Sequence, residues 1–214
     1  MGRYGPAIFV GDASGLDFLN SVATPADTTL DWLDDGEGLL SWLEQAQLVP
    51  ADLLRRIRTE TPAGELERIA NQARSLREWF RGFVLKHKGR PLVLTGLAEL
   101  EPLNRVLGRD EVHYRLGLCP GGKPAALELQ VVRRWRSPQA LLLPIGEVLA
   151  RLLSAEDFRH VKACERPGCT LLFADHTRGH VRRWCSMALC GNRVKQAEHR
   201  RRHKATRRND PGPR

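Results

Sequence analysis

The sequence of 214 residues has no long apolar run, and its longest such stretch is about Leu141–Ile145. A membrane-spanning helix needs about 18 apolar residues, so the sequence argues against a membrane protein. The first residues also lack the apolar region of a secretory signal peptide. We therefore expect a protein that is neither secreted nor embedded in a membrane, and we predict a cytoplasmic location.

Catalytic motifs are missing as well. The sequence contains no P-loop, no GxGxxG, no HExxH and no GxSxG motif. His87 and His113 have no evident nucleophile beside them in the sequence. We therefore expect a protein that is not an enzyme.

Positive charge is concentrated at one end of the chain. The sequence has 34 Lys and Arg residues against 25 Asp and Glu, a net charge of +9. Residues 159–214 contain 15 basic and 4 acidic residues, whereas residues 1–158 contain 19 basic and 21 acidic residues. A nearly neutral body with a basic end is typical of proteins that bind a polyanion, most often nucleic acid.

Hydrophobic periodicity predicts an α+β fold that is mainly α-helical. Apolar residues recur at three- and four-residue intervals in several segments, and two alternating segments, 112–118 and 126–135, predict a β-hairpin with its polar faces outward. The apolar segment 139–153 would be a helix that packs on this hairpin. The other predicted helices cover 13–22, 36–48, 52–57, 63–87 and 95–107, the last with a break at Pro102.

Four of the five cysteines form two close pairs in the basic quarter: Cys164-x4-Cys169 and, after fifteen residues, Cys185-x4-Cys190. This spacing is typical of a structural site for one Zn²⁺ ion, and the order of turns, short strand and helix start is treble-clef-like. His176 and His180 also have ligand spacing. A set of Cys164, Cys169 and these two histidines would leave only six residues between the pairs, so the four cysteines are preferred as ligands.

The cluster Ser154–Asp157 marks a boundary between two regions. We expect a helical N-terminal domain over residues 1–154, a zinc module with a basic helix over 158–208 and a disordered tail over 209–214.

The cysteine region resembles the CGNR zinc-finger family. The resemblance rests on the cysteine pairs, on Arg183–Met187 and above all on Cys190-Gly-Asn-Arg193. Proteins of this family usually carry an N-terminal domain called ABATE, and Leu16-Asp-Phe-Leu-Asn20, Asp31-Trp32 and Leu39-Leu-Ser-Trp42 resemble its start. The resemblance implies a bacterial, stress-induced transcription regulator, with a zinc-stabilised DNA-binding module attached to a sensory or ligand-binding domain.

Basic residues around the zinc site are candidates for contacts with duplex DNA. Those before Cys185 form one cluster, and those after Cys190 lie along a helix whose distal half has no apolar face. Asn192 and Arg193, near the helix start, are the candidates for base contacts. DNA-binding proteins are often dimers, so a homodimer stays open, although no heptad is visible. The full set is Arg178, His180, Arg182, Arg183, Asn192, Arg193, Arg200, Lys204 and Arg207.

The N-terminal domain offers candidates for binding a small-molecule effector, namely Asp17, Asn20, Trp32, Trp42 and Arg77. These residues mix polar and aromatic groups, but they fit equally well as caps, core tryptophans and a salt-bridged arginine. Two other functions stay open for the whole protein: RNA binding, and a protein-interaction adaptor with a zinc-stabilised module.

Overall fold

The computed structural model describes residues 5–24, 28–118, 126–197 and 199–200. Helices dominate this part of the chain, and three pairs of antiparallel strands accompany them. The helices are α1 (Ser14–Leu19), α2 (Gly36–Gln45), α3 (Ala51–Glu60), α4 (Ala63–His87), α5 (Glu101–Leu107) and α6 (Leu142–Ala155). The strand pairs are β1 (Val22–Ala23) with β2 (Leu30–Asp31), β3 (Val112–Leu118) with β4 (Leu127–Arg133), and β5 (Val161–Ala163) with β6 (Leu172–Ala174).

The fold class and the predicted order of elements are confirmed. Helix α4 has the predicted bounds, because its apolar positions repeat with the helical period and Pro62 immediately precedes its first turn. Helix α2 begins where the side chain of Asp35 accepts a hydrogen bond of 2.7 Å from the backbone N–H of Gly38. The break predicted at Pro102 falls where a short 3₁₀ turn, Ala98–Leu100, gives way to α5.

Helix α1 is the centre of the fold, since it packs against α4, α6 and strand β6. Gly15 allows its close approach to α6, because a Cβ atom at this position would lie 2.8 Å from the carbonyl oxygen of Val148. The buried side chains of the helices and those of the β5–β6 pair belong to one continuous hydrophobic cluster. The cysteine region is therefore packed on the helical region in this structure.

Backbone hydrogen bonds also join the two regions. The N–H of Ala174 in β6 donates to the carbonyl of Gly11 at 2.8 Å, and the N–H of Gly89 donates to the carbonyl of Phe158 at 2.8 Å. The division into domains 1–154 and 158–208 stays a prediction, and the proposed tail 209–214 lies outside the described residues.

The β3–β4 hairpin has the predicted strands, but the prediction of polar faces outward is wrong. Its register places the even positions of β3 opposite the odd positions of β4, so their side chains share a face. That face is apolar and lies in solvent. Helix α6 packs on α1 and α5 instead of covering it. The predicted turn of this hairpin falls in residues 119–125, which lie outside the described part.

The described residues contain no helix with both the length and the apolar character needed to cross a membrane.

Candidate metal centre and nucleic-acid interface

Two loops bring the four cysteines together. Cys164 follows β5, and its N–H donates to the carbonyl of Leu171 at 2.9 Å, which extends the β5–β6 ladder. The chain then turns through Gly168, whose φ of 77° is readily adopted by glycine. This turn places Cys169 beside Cys164. Cys185 stands just before a helical segment that begins with a π-helical turn, Met187–Gly191.

The start of this helical segment holds Cys190 in place. The hydroxyl of Ser186 accepts a hydrogen bond of 3.0 Å from the N–H of Leu189, as an N-cap residue does. The Ser186 carbonyl accepts from the N–H groups of Cys190 and Gly191 at 3.1 and 3.0 Å. Residues 192–197 and 199–200 continue as α-helix, so a basic helix after Cys190 is observed over these residues.

The sulfur atoms have the geometry of a tetrahedral thiolate site. All four lie within 4.8 Å of one another, with 3.4 Å between the Sγ atoms of Cys185 and Cys190 and 3.7 Å between those of Cys190 and Cys169. A zinc–sulfur bond of about 2.3 Å in a tetrahedron separates the sulfurs by about 3.8 Å. Three of the cysteines are buried and Cys169 is partly buried. The residues therefore fit one structural Zn²⁺ ion, and four protein ligands would leave no open position on it.

The electrostatics of the site favour a bound cation. The pKa of the Cys185 thiol is raised, first by its hydrogen bonds with the sulfurs of Cys164 and Cys169 and then by burial. A divalent ion offsets this cost because it stabilises the thiolate form of its ligands. The guanidinium of Arg166 donates to the Cys190 sulfur at 3.2 Å, which offsets part of the negative charge of four thiolates. His176 and His180 are not part of the four-residue cluster.

Asp175 organises the turn between the two cysteine pairs. Its carboxylate is fully buried and accepts from Lys162 Nζ at 2.7 Å, from the Arg182 N–H at 2.9 Å, and from both the N–H and the hydroxyl of Thr177. Burial alone would raise the pKa of Asp175, but these hydrogen bonds hold it well below its usual value. An Asp side chain often forms a turn by accepting from the N–H two residues further on, but this local signal does not reveal the contacts of Asp175 with Lys162 and Arg182.

Two residues of the predicted basic cluster make several contacts with other parts of the protein. Arg182 forms an ion pair with Asp12, donates to the carbonyls of Val10, Trp184 and Cys185, and lies 4.2 Å from the centroid of the Phe173 ring. His180 stacks on His160 with ring centroids 3.4 Å apart, and its Nδ1 atom is 2.5 Å from the Asp175 carbonyl. Both residues hold the turn together: the side chain of Arg182 is only 20% exposed, whereas His180 remains exposed while it makes these contacts.

Other candidates lie at the surface around the metal centre. Arg178 is exposed in the turn after Asp175, and Arg183 is 60% exposed and pairs with Glu165 at 2.6 Å. Asn192, Arg193 and Arg200 are exposed on the helical segment. Lys204 and Arg207 lie outside the described residues.

Trp184 and Gly191 tie the helical segment to the metal site. A Cβ atom at Gly191 would lie 2.6 Å from the Met187 sulfur and 3.2 Å from the Trp184 ring, so only glycine fits there without displacement. The Trp184 ring also makes cation–π contacts with two side chains. The guanidinium of Arg183 lies 5.2 Å from the ring centroid and the ammonium of Lys195 lies 5.9 Å from it. The ring thus lies next to the metal site, with basic side chains over it.

The five effector-binding candidates are each engaged in the fold. Asn20 and Trp42 are fully buried, and Trp42 packs edge-to-face on Phe18 with ring centroids 5.6 Å apart. Arg77 is only 3% exposed and makes two hydrogen bonds of 2.7 Å to the carboxylate of Asp31. The remaining two candidates make backbone contacts: Asp17 accepts from the Gly11 N–H at 2.8 Å, and buried Trp32 donates to the Gly5 carbonyl at 3.3 Å.

Three cavities in the described part of the chain lie elsewhere. One of about 230 Å³ is lined by Val106, Arg109, Leu142, Leu143 and neighbouring residues at the base of the β3–β4 hairpin. Two others lie beside α2 and α3. None of the three is lined by the five predicted residues.

Together, the fold and the sulfur cluster define a mainly helical zinc-binding protein whose metal site stands at the start of a basic helix. Comparison with protein families agrees with this description. The model of the ABATE domain, described as "Putative stress-induced transcription regulator", matches residues 12–156, and that of the CGNR zinc finger matches residues 160–203. The chain therefore belongs to the ABATE family and carries a CGNR zinc finger after the ABATE domain. A search of curated proteins found no match.

Proposed function

We propose that the protein is a transcription regulator that binds duplex DNA through its zinc-stabilised C-terminal module. The observation that carries the proposal is the position of the metal centre, which fixes both the turn bearing Arg178 and Arg183 and the start of the basic helical segment. The two matched families, one regulatory and one a zinc finger, support this function rather than catalysis. We also propose a cytoplasmic location and a role in stress responses, the latter supported by the description of the ABATE family.

The proposed interface consists of the surface residues of this module. Phosphate contacts from its arginines would supply most of the affinity, since each displaces counterions from DNA. Asn192 and Arg193 are the proposed base-reading residues, because they stand at the helix start. The proposed surface comprises Arg178, Arg183, Asn192, Arg193 and Arg200, together with Lys204 and Arg207, and leaves out His180 and Arg182 because both are engaged within the turn.

The experiment is a titration of fluorescent duplex DNA with the zinc-loaded protein at several salt concentrations. About seven contacts predict a slope of log K against log salt of roughly −6, and Arg178→Ala with Arg200→Ala should make it shallower by about 2. Arg105→Ala with Arg151→Ala removes the same charge from exposed positions of α5 and α6, and should leave the slope unchanged.

Parallel titrations with duplex RNA and single strands separate the alternatives. Preference for either RNA form over duplex DNA would replace the proposed function by RNA binding. Affinity that is weak and does not saturate with any nucleic acid would favour an interaction adaptor. A slope near zero with duplex DNA would overturn the proposal directly.

For the helical region, the five effector candidates are engaged in contacts within the fold, and four of them are buried, which supports a role in interactions more than in ligand sensing. An interaction surface that fits this role is found on the β3–β4 hairpin.

A further inference from the structure

One face of the β3–β4 hairpin is a continuous apolar surface. The register pairs Tyr114 with Val131, Leu116 with Leu129 and Leu118 with Leu127, so all six side chains lie on the same face as Val112. Each of these seven residues is between 51% and 69% exposed. We call this surface the hairpin face: Val112, Tyr114, Leu116, Leu118, Leu127, Leu129 and Val131.

The opposite face of the same hairpin is polar and in part covered. His113 and Gln130 are partly buried there, and Arg115 donates to the Gln130 side chain at 3.1 Å. A hairpin that completes the core of its own chain turns its apolar face inward and its polar face to water. This hairpin does the reverse. Its apolar side chains are therefore removed from water only if another surface covers the hairpin face.

The hairpin is also held away from the helices. Its two strands pack mainly on each other, and its base is anchored by Arg133, which pairs with Asp110 at 2.6 Å and with Glu147 at 2.7 Å. Arg133 lies at the edge of the hairpin face, and these two carboxylates compensate its charge. The hairpin face is therefore free of uncompensated charge and accessible to a large partner.

The size of the hairpin face fits a protein partner. Seven large apolar side chains at this exposure present roughly 800 Å², which is more than the few hundred Å² common on monomers and close to the ~800 Å² per partner of a standard interface. The sequence of residues 201–214 does not fit as the cover of this apolar face. It contains six Lys and Arg residues and no large apolar side chain.

We propose that the hairpin face packs against the hairpin face of a second copy of this chain. A two-fold interface requires a patch that complements itself, and a uniformly apolar face meets this condition because no like charges are brought together. Two such hairpins face to face form a four-stranded sandwich with the sheets about 10 Å apart. The dimer does not depend on the proposed DNA binding.

The test is sedimentation analysis of the purified, zinc-loaded full chain across a wide concentration range. Wild type should sediment at twice the chain mass. Leu116→Lys with Leu129→Lys should raise the dimer dissociation constant by roughly 100-fold or more, because it places unpaired charges in the interface. Val93→Lys with Leu97→Lys is the matched control, since both residues are apolar and highly exposed but lie outside the hairpin.

Folding of the variants is checked by circular dichroism, and the milder Leu116→Ser with Leu129→Ser replaces the lysine pair if that variant unfolds. Hydrogen exchange of wild type should show protection of β3 and β4 that rises with protein concentration. A monomeric wild type at about 100 μM overturns the proposal and assigns the face to another partner. A folded lysine variant that remains dimeric also overturns it, because pairing through strand edges or another surface would then hold the dimer.

Discussion

The side chain of Asn20 pairs with the backbone of Leu172 as a neighbouring strand would. Its Oδ1 atom accepts from the Leu172 N–H at 2.9 Å, and its Nδ2 atom donates to the Leu172 carbonyl at 2.8 Å. Asn20 directly follows α1, whereas Leu172 lies in β6 between the cysteine pairs. This buried amide is therefore one of the contacts that join the helical region to the zinc module.

Asn20→Ala should destabilise the protein by about 2–5 kcal/mol, because it leaves a buried N–H and a buried C=O of Leu172 without partners. Urea unfolding of the zinc-loaded protein measures this. Asn104→Ala, at an exposed position of α5, is the control and should change the unfolding free energy by about 0.5 kcal/mol or less. An equally small effect at Asn20 would contradict the structural role given to this side chain.

Removal of zinc should loosen α1 as well as the cysteine region, because α1 packs directly on strand β6 of that region. Zinc binding supplies about 10–16 kcal/mol in zinc-finger peptides, so the region cannot be expected to stay folded without it. Hydrogen exchange before and after chelation is the measurement. We expect α1 amides to lose protection, while α3, which packs on α2, serves as the internal reference. Unchanged protection of α1 would show that the two regions fold independently.

Asp17 should make stability depend on pH. Burial raises its pKa from 3.8 to about 6, against the hydrogen bonds that its carboxylate accepts from Gly11 and Val10. Between pH 7 and 5 the folded state therefore binds a proton that the unfolded state does not, so stability rises as pH falls. On going from pH 7 to pH 5, the unfolding free energy of wild type should rise by about 1 kcal/mol relative to that of Asp17→Asn. Urea titrations at both pH values test this, with Asp52→Asn at an exposed position as the matched control. If the unfolding free energies of wild type and Asp17→Asn differed by the same amount at both pH values, the proposed titration of Asp17 would be ruled out.

Local patterns were sufficient to predict the helices and the metal ligands. The bounds of α4 follow from its period and from Pro62, and the four cysteines are recognisable by spacing alone. What the sequence could not show is which side chain meets which across long separations. From the sequence, Asn20 and Arg77 fit either effector contacts or structural contacts, and their partners, Leu172 and Asp31, are 152 and 46 residues away.

The orientation of the hairpin was unpredictable for a related reason. Alternation reveals that β3 and β4 each have an apolar and a polar face, but it does not reveal which face turns toward the helices. In the structure Arg133 anchors the base of the hairpin to Asp110 and Glu147, and the alternation does not reveal these contacts. Likewise, a run of arginines after β6 does not reveal that Arg182 is engaged inside the turn.

Arg182 and Arg178 should therefore respond differently to the same substitution. Arg182→Ala removes hydrogen bonds to three carbonyls, the ion pair with Asp12 and the contact with the Phe173 ring, so we expect a loss of about 2–4 kcal/mol of unfolding free energy. Arg178→Ala, at an exposed position, should change stability by about 0.5 kcal/mol or less and reduce only nucleic-acid binding. Thermal melts and DNA titrations on the two variants separate these effects. If Arg182→Ala weakened DNA binding while its melting temperature matched wild type, Arg182 would instead belong to the interface.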